Sequence, residues 1–482
     1  MSKATRRYRD CRRCLRDTAF GLACLVIVFT IPPSPLSGEE AILRASPEAK
    51  KWFEDARFGM FVHWGLYTLR DTAERHPRNF NPTEFDAREW VGMAKKAGIR
   101  YITITSKHHE GFCLFDSKLT DFDIVDATPF KRDVLKELAD ECHKQGIKLF
   151  FYYSQLDRHH PDYKPEDKEA WSRYKAYYIG QVRELCSNYG EIGGLWFDGW
   201  WANPKADWGH EELYNMIHTL QPNAMIGNNH HRQPFPGEDF QMFEQDLPGE
   251  NTAGFNKAAV SDLPLETCRT INNHWGYDKD DHAHKSTEHL IRYLVQVVGR
   301  GGNLLLNTGP MPSGKILPEH VERYLGIGKW LDRNGEAIYG TRRGPYPPSA
   351  WGVSVRKGQN VYLHVLNWPG EALELPALGK DCRVKSARLL HDRRLKFTAD
   401  ENAIRISLPE SAKNPVDVIV VLTVEGGLAA NSESQQDLLP NDAIAPAATL
   451  RLTEAALPVN QPPKAFLRAP QGHGKRWSGP SG

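Results

Sequence analysis

The sequence predicts an α/β fold: a (β/α)8-like barrel of the TIM type, followed by a C-terminal antiparallel β-sandwich. From about residue 46, short apolar or aromatic runs alternate with longer amphipathic runs, as in the repeated βα units of a parallel sheet. After about residue 340 apolar and polar residues alternate one by one, which is typical of half-buried strands. We therefore expect a catalytic barrel domain over residues 46–342 and a sandwich domain over residues 343–425.

Six strands of the barrel are visible in the sequence, so a count of eight is an inference. They cover residues 59–63, 101–105, 149–153, 194–198, 224–227 and 303–307. Amphipathic patterns predict helices over 89–97, 134–144 and 289–298, the last of which ends at a glycine-rich run. Alternating patterns predict sandwich strands at 353–356, 361–366, 384–390, 404–408 and 416–424.

Composition limits the classes of partner. The chain has 482 residues, a formal net charge of +1 and 40% hydrophobic residues, which is enough apolar material for at least two domains. Binding to nucleic acid needs a clustered basic surface, so the neutral balance argues against nucleic acid as the main partner.

The two ends of the chain differ from the middle. Residues 1–38 run from basic to apolar to small residues, the order of a secretory signal peptide. We expect export to the periplasm or the medium, with an uncleaved membrane anchor as the alternative. Residues 426–482 are rich in Pro, Ala, Asn and Gln and are expected to be mostly disordered.

Asp198 is the first candidate for chemistry. It ends the apolar run 193–198 and is followed by Gly199 and by Trp200 and Trp201. Charged residues are rarely buried unless they are paired or used, and in barrels the catalytic groups gather at the C-terminal ends of strands. Indole faces can pack against sugar rings, so this combination suggests a carbohydrate pocket. The alternative is an Asp that only caps the next helix.

Polar residues also follow most of the other strands. If the strands close into a barrel, these side chains converge on one face around a single pocket. They are His63, the run 106–109, Ser154, Asn228, Asn229 and Asn307.

Several longer segments occur in a fixed order along the chain. They are residues 57–65, 106–112, 152–154, 196–199, 266–268, 275–277 and 302–310. In these segments the chain resembles the α-L-fucosidases of glycoside hydrolase family 29, over about residues 48–342. The resemblance implies a retaining, exo-acting α-L-fucosidase that releases terminal α-L-fucose by double displacement. A fucosylated oligosaccharide or polysaccharide is then the expected partner, and we expect no cofactor and no catalytic metal.

The resemblance also implies roles for the acidic residues. It assigns the nucleophile to Asp198, and a retaining mechanism needs a second carboxyl group about 5 to 5.5 Å away. Glu244 is the preferred acid/base because family members carry this glutamate in a similar D-x-x-x-x-E-Q context, although Met242 and Phe243 stand where Thr-Pro is common. Glu266 is the rival, with a structural, hydrogen-bonded acid as its other interpretation.

Sugar-binding residues are implied in the same way. Neutral imidazoles can both donate to and accept from hydroxyl groups, and the alternatives are core aromatics, a surface arginine or metal-ligating histidines. A metal is disfavoured because no H-E-x-x-H spacing occurs and because adjacent strand residues are expected to diverge. The link 67–78 is shorter than in many relatives, which carry a sugar-binding residue there, and Glu74 is the candidate substitute. The implied set is His63, Trp64, His108, His109, Tyr152, Trp196, Arg232 and Trp275.

The sequence is compatible with three other functions. A catalytically silent fucose-binding protein would keep the histidines and tryptophans but lose an acid, and both acids are present. A metal-dependent hydrolase on the same barrel would be inhibited by chelators. A glycosidase for a related sugar such as α-L-galactose would need a looser pocket around the sugar's methyl group.

Overall fold

A computed structural model describes residues 42–69, 74–392, 394–414 and 416–427. The leader expected over 1–38, and all but the first two residues of the tail expected over 426–482, lie outside this part. Within it, no helix has the length and apolar character needed to cross a bilayer.

The N-terminal part consists of parallel strands and helices. Its strands are β1 (Phe58–Val62), β2 (Tyr101–Lys107), β3 (Lys148–Ser154), β4 (Gly194–Asp198), β5 (Met225–Asn228), β6 (Gln241–Glu244), β7 (Leu265–Thr270) and β8 (Gly302–Thr308). Its helices are α1 (Pro47–Ala56), α2 (Ala87–Lys96), α3 (Val134–Gln145), α4 (Lys168–Asn188), α5 (His210–Leu220), α6 (Thr287–Gly299) and α7 (Pro318–Asn334).

The strands form one parallel sheet in the order β5-β4-β3-β2-β1-β8-β7-β6. The sheet curls into a nearly closed barrel, in which β5 and β6 lie close together without a ladder of their own. Residues 229–264, all of them described, contain β6 but no helix. The connections from β5 to β6 and from β6 to β7 therefore do not follow the regular βα alternation. The predicted barrel followed by antiparallel sheets is confirmed.

Two barrel strands were not visible in the sequence, β6 and β7. Their sequences, Gln-Met-Phe-Glu and Leu-Glu-Thr-Cys-Arg-Thr, are short and mix polar with apolar residues. A continuous apolar run, the usual pattern of a buried parallel strand, is therefore missing. Both carry glutamates that face inward, which is why the pattern fails there.

The helices begin at side chains that cap them. Asp86, Asp133 and Asp167 accept hydrogen bonds from the first backbone N–H groups of α2, α3 and α4. Such caps satisfy donors that the helix itself leaves open. Gly146, in the left-handed region at φ 75°, ends α3, where residues with a Cβ are disfavoured.

The C-terminal part is a sandwich of two antiparallel sheets, ordered β13-β16-β11-β10-β9 and β12-β15-β14. Five of these strands were predicted, and β9, β12 and β14 were not. The strands are β9 (Arg342–Arg343), β10 (Gly352–Lys357), β11 (Asn360–Val365), β12 (Ala372–Pro376), β13 (Cys382–Leu389), β14 (Phe397–Ala399), β15 (Ala403–Ser407) and β16 (Val418–Gly426).

Both faces of the larger sheet are covered. In β16, Val420 and Leu422 belong to the sandwich core, whereas Ile419 and Val421 belong to the same cluster as the barrel's helix layer. Successive strand residues point to opposite faces, so one strand serves both cores. Arg292 of α6 crosses the junction and donates to the carbonyl oxygen of Leu366 at 2.6 Å.

Candidate active site

Asp198 lies at the C-terminal end of β4, and its carboxylate accepts three hydrogen bonds. Tyr152 Oη donates to Oδ2 at 2.9 Å, while the backbone N–H of Gly199 (2.7 Å) and Trp201 Nε1 (2.9 Å) donate to Oδ1. Gly199 has φ 89°, and a Cβ there would lie 2.7 Å from Leu156, so the turn requires glycine. The Asp-Gly pair thus holds an oriented carboxylate.

His109 lies beside this carboxylate. Ser154 Oγ donates its proton to the carbonyl oxygen of Leu156 at 2.6 Å, so the 2.7 Å contact with His109 Nδ1 must use an N–H of the imidazole. Burial, with the nearby His108, lowers the pKa of His109 well below its usual value. The ring is therefore neutral, and its Nε2, 3.6 Å from Asp198 Oδ2, carries a lone pair.

His63 is held in the same way. Asn307 Nδ2 donates to the carbonyl oxygen of Trp275 at 2.7 Å, which leaves Asn307 Oδ1 to accept from His63 Nδ1 at 2.7 Å. Burial, and then the nearby His108, lowers the pKa of His63 well below its usual value. His63 is thus a second neutral imidazole whose Nε2 can only accept.

His108 and His109 do not diverge as expected. Strand β2 ends at Lys107, so both histidines lie in the turn beyond it, and their ring centroids are 4.2 Å apart. The His108 ring also stacks on Tyr152, with an interplanar angle of 16°. Its Nδ1 lies 3.3 Å from Glu110 Oε2.

Aromatic rings form the base of the site. Tyr152 stacks on Trp196, with centroids 5.3 Å apart, and Phe61 packs against Trp196 at 5.0 Å. Trp275, which is half-buried, lies 5.0 Å from His63. Because these rings are apolar, they strengthen the electrostatic interactions of the carboxylates above them.

Glu244 ends β6 on the other side of the barrel seam. Its Oε2 accepts from Asn229 Nδ2 at 2.9 Å and lies 3.7 Å from His231 Nε2. Asn256 exchanges two hydrogen bonds of 3.0 Å with the backbone N–H and C=O of Glu244. Burial, and then the charge of Asp198, raises the pKa of Glu244 to about 7, against the lowering effect of Asn229. Glu244 is thus a carboxyl group that can hold a proton near neutral pH.

Glu266 lies on β7 in the barrel interior, and both its oxygens are occupied. Tyr101 Oη donates to Oε2 at 2.6 Å, and Trp196 Nε1 donates to Oε1 at 2.9 Å. The side chain is 1% exposed, and burial raises its pKa to about 7. This carboxyl group lies beneath the aromatic base and supports Trp196.

Trp64 is placed apart from the site. It is 1% exposed, and its Nε1 donates to the carbonyl oxygen of Met311 at 3.2 Å. Because it follows His63, it points to the opposite face of the barrel wall. Its ring packs between strand and helix layers, against Phe80, Phe85 and Trp90.

Arg232 and Glu74 are also placed apart. Arg232 is exposed, with its guanidinium 5.1 Å above the Trp200 ring. Glu74 is exposed, next to the undescribed residues 70–73. In the described part of the chain, neither forms a hydrogen bond or ion pair with Asp198 or Glu244.

Several site residues had no predicted role. Trp201, which is 42% exposed, was noted only as a neighbour of Asp198. The sequence predicts Asn229 only as a polar strand end, and it predicts no role for His231. The contacts of these residues with the two carboxylates are tertiary, so one sequence shows no signal for them beyond their position after β4 and β5.

The chain is similar in sequence to known α-L-fucosidases. The family model described as α-L-fucosidase matches residues 40–79 and 74–336. Tissue α-L-fucosidase of Macaca fascicularis is 29% identical over 434 residues, covering 78% of this chain and 88% of the relative.

Solved structures agree with this match. α-L-Fucosidase isoenzyme 1 from Paenibacillus thiaminolyticus is 34% identical with a TM-score of 0.67, covering 78% of this chain and 99% of that one. The family 29 α-L-fucosidase of Bacteroides thetaiotaomicron, trapped as a covalent intermediate with 2-fluoro-fucosyl fluoride, is 30% identical with a TM-score of 0.70, covering 80% and 98%. The chain therefore belongs to the α-L-fucosidase family, glycoside hydrolase family 29, and is a glycoside hydrolase of that type.

Proposed function

We propose that the protein is a retaining, exo-acting α-L-fucosidase that works by double displacement, with Asp198 as nucleophile and Glu244 as acid/base. One observation carries the proposal: two carboxyl groups share the site, and the charge of Asp198 helps to raise the pKa of Glu244 to about 7. Two acids in unlike environments can take opposite protonation states. That is what a retaining glycosidase needs.

In the first step Asp198 attacks the anomeric carbon of the fucosyl unit. A bond forms between a carboxylate oxygen and that carbon while the glycosidic C–O bond breaks, and Glu244 gives its proton to the departing oxygen. The hydrogen bonds from Tyr152 and Trp201 orient the nucleophile.

In the second step Glu244, now ionised, takes a proton from water. The water oxygen attacks the anomeric carbon, the bond to Asp198 breaks, and fucose leaves with its original configuration. The Bacteroides relative supports this route, because its covalent intermediate was trapped with a glutamate-to-glutamine mutant.

Glu244 is preferred to Glu266 because of what each carboxyl group contacts. Both oxygens of Glu266 are used by Tyr101 and Trp196. The charge of Asp198 raises the pKa of Glu244, whereas the pKa of Glu266 is set by burial and by these two hydrogen bonds.

Fucose hydroxyl groups fit the neutral histidines. His63 and His109 each use Nδ1–H within the protein, so each offers an Nε2 lone pair to a sugar O–H. Trp275 and the aromatic base supply apolar contacts for the ring and its methyl group. A terminal α-L-fucosyl unit of a glycan is therefore the proposed substrate.

The stereochemistry of the first product tests the proposal. With an aryl α-L-fucoside, we expect ¹H NMR to show α-L-fucose first, followed by slow mutarotation to β. The β anomer appearing first would mean inversion, and no hydrolysis would favour a silent fucose-binding protein. The ratio of kcat/KM for this substrate to kcat/KM for the matching α-L-galactoside measures the preference for a methyl group over a hydroxymethyl group.

The pH dependence follows from Glu244, which must be protonated in the first step. Its pKa of about 7 predicts that kcat/KM falls as the pH rises above about 7. The Asn229 hydrogen bond lowers this pKa, so Asn229→Ala should move the alkaline limb to higher pH. A limb that stays in place in this variant would contradict the assignment. The control is Gln233→Ala, at an exposed position four residues from Asn229, which should leave the alkaline limb in place.

Export is a further proposal, supported by the basic, apolar and small-residue order of residues 1–38. Sequencing the mature N-terminus of protein purified from its own cells tests it, because an intact leader would indicate an anchor or a non-exported chain.

A further inference from the structure

Three acidic residues converge outside the active site, in the loop between β2 and α3. Asp116, Asp123 and Asp126 each offer a carboxylate oxygen, and these oxygens lie within 4.8 Å of one another. Two oxygens bound to one Ca²⁺ at 2.3–2.6 Å can be at most about 5 Å apart. The three oxygens are thus close enough to share one coordination sphere.

Asp123 is the central residue of this cluster, and half of its carboxylate is unpartnered. Its Oδ1 accepts from the backbone N–H groups of Val125 and Asp126, both at 2.8 Å. Its Oδ2 is buried without a hydrogen-bond partner, in a side chain that is 0% exposed. A buried carboxylate oxygen without a partner is costly unless a proton or a cation compensates it.

The two lysines near the cluster do not reach its buried carboxylate. Lys118 Nζ lies 2.6 Å from Asp116 Oδ1, on a side chain that is 72% exposed. Lys131 donates to the backbone oxygen of Asp126 rather than to its carboxylate. Neither ammonium forms a hydrogen bond with Asp123, whose buried Oδ2 is left without a partner in the described part of the chain.

We propose that Asp116, Asp123 and Asp126 form a Ca²⁺ site, with Asp123 Oδ2 as its buried ligand. Ca²⁺ suits the site because it accepts six to eight oxygens in irregular geometry, so that water and backbone oxygens complete the sphere. Mg²⁺ demands a near-ideal octahedron and binds such loops less well.

The role of the ion follows from what the loop contacts. Glu184 of α4 accepts from Ser117 Oγ and from the backbone N–H of Lys118, both at 2.8 Å. Phe122 stacks on His159 with centroids 3.8 Å apart. The ion joins the two ends of this segment and so stabilises the loop that follows His108 and His109, without touching the substrate.

Calorimetric titration of the full chain, first stripped with a chelator that is then removed, tests the site. We expect CaCl2 to bind at one site and to raise Tm, with MgCl2 weaker in both. Asp126→Asn, which is exposed, and Asp123→Asn, which keeps the Oδ1 acceptor, should weaken Ca²⁺ binding at least about tenfold. Asp121→Asn, an exposed acid of the same loop outside the cluster, is the matched control and should bind as the parent does.

Two results would overturn the proposal. One is no binding heat and no Tm shift in CaCl2 up to about 10 mM, which covers the weak range of protein calcium sites. The other is equal binding by the Asp126→Asn, Asp121→Asn and parent proteins. If Asp123→Asn fails to fold, the exposed Asp126→Asn still decides, and fucosidase activity is not needed as the readout.

Discussion

Asp198→Ala should lower kcat on an aryl α-L-fucoside by at least about 10⁴-fold, the scale seen when an enzyme loses its nucleophile. The reason is that no other carboxylate of the described site accepts from Tyr152 and Trp201 together. The substitution removes the attacking oxygen, while the aromatic base and the histidines stay in place. Stopped assays with a sensitive aryl leaving group measure the loss.

Azide distinguishes a lost nucleophile from a damaged fold. In Asp198→Ala a small anion can enter the space left by the carboxylate and attack the anomeric carbon from that side. We expect azide to restore part of the activity and to yield β-L-fucosyl azide, with inverted configuration. Asp121→Ala is the surface control, with the parent's kcat. Near-parental hydrolysis by Asp198→Ala without azide would remove the nucleophile assignment.

The activity lost in Glu244→Ala should depend on the leaving group of the substrate, with a larger loss for a poorer leaving group. A natural fucosyl disaccharide needs protonation of its departing oxygen, so we expect kcat/KM on it to fall by about 10²–10⁴-fold. A dinitrophenyl fucoside leaves without that proton, so its kcat/KM should change far less. Its second step stays slow because no base activates water, and azide should then yield the α azide, with retained configuration.

Glu266→Gln is the matched comparison for this prediction. Glutamine keeps an oxygen for Tyr101 or Trp196, so the effect should be similar for good and poor leaving groups and should appear mainly as a lower Tm. If Glu244→Ala lost equal activity on both substrates while Glu266→Gln showed the leaving-group dependence, the roles of the two glutamates would be exchanged.

The sequence predicts the barrel strands best where the buried positions of a strand carry apolar residues. The apolar runs of β1, β3, β4, β5 and β8 are nearly continuous, and β2 is rich in β-branched residues, so the sequence pattern identifies these six strands. Strands β6 and β7 carry Glu244 and Glu266 inward, and a polar residue at a core position breaks the apolar pattern. Of these two glutamates, Glu244 belongs to the candidate site, and Glu266 supports the aromatic base beneath it.

The sequence predicts which residues belong to the candidate site from their type and their position in motifs. It does not predict which of these residues contact one another. The resemblance named Asp198, Glu244 and the histidines, which the structure brings together. It also named Trp64, which points away because its neighbour His63 points in, and Arg232, which is exposed. Asn229 and Asn256 could not be assigned, because their hydrogen bonds to Glu244 depend on how two loops fold across the barrel seam.

Strand β16 links the unfolding of the barrel to that of the sandwich. Its alternate residues belong to two different hydrophobic clusters, so neither can be opened to water without exposing part of the other. We infer that a chain shortened to end near residue 342 would present a bare apolar wall and aggregate rather than remain an active small enzyme. Heating should accordingly unfold the barrel and the sandwich together, which calorimetry would show as a single transition.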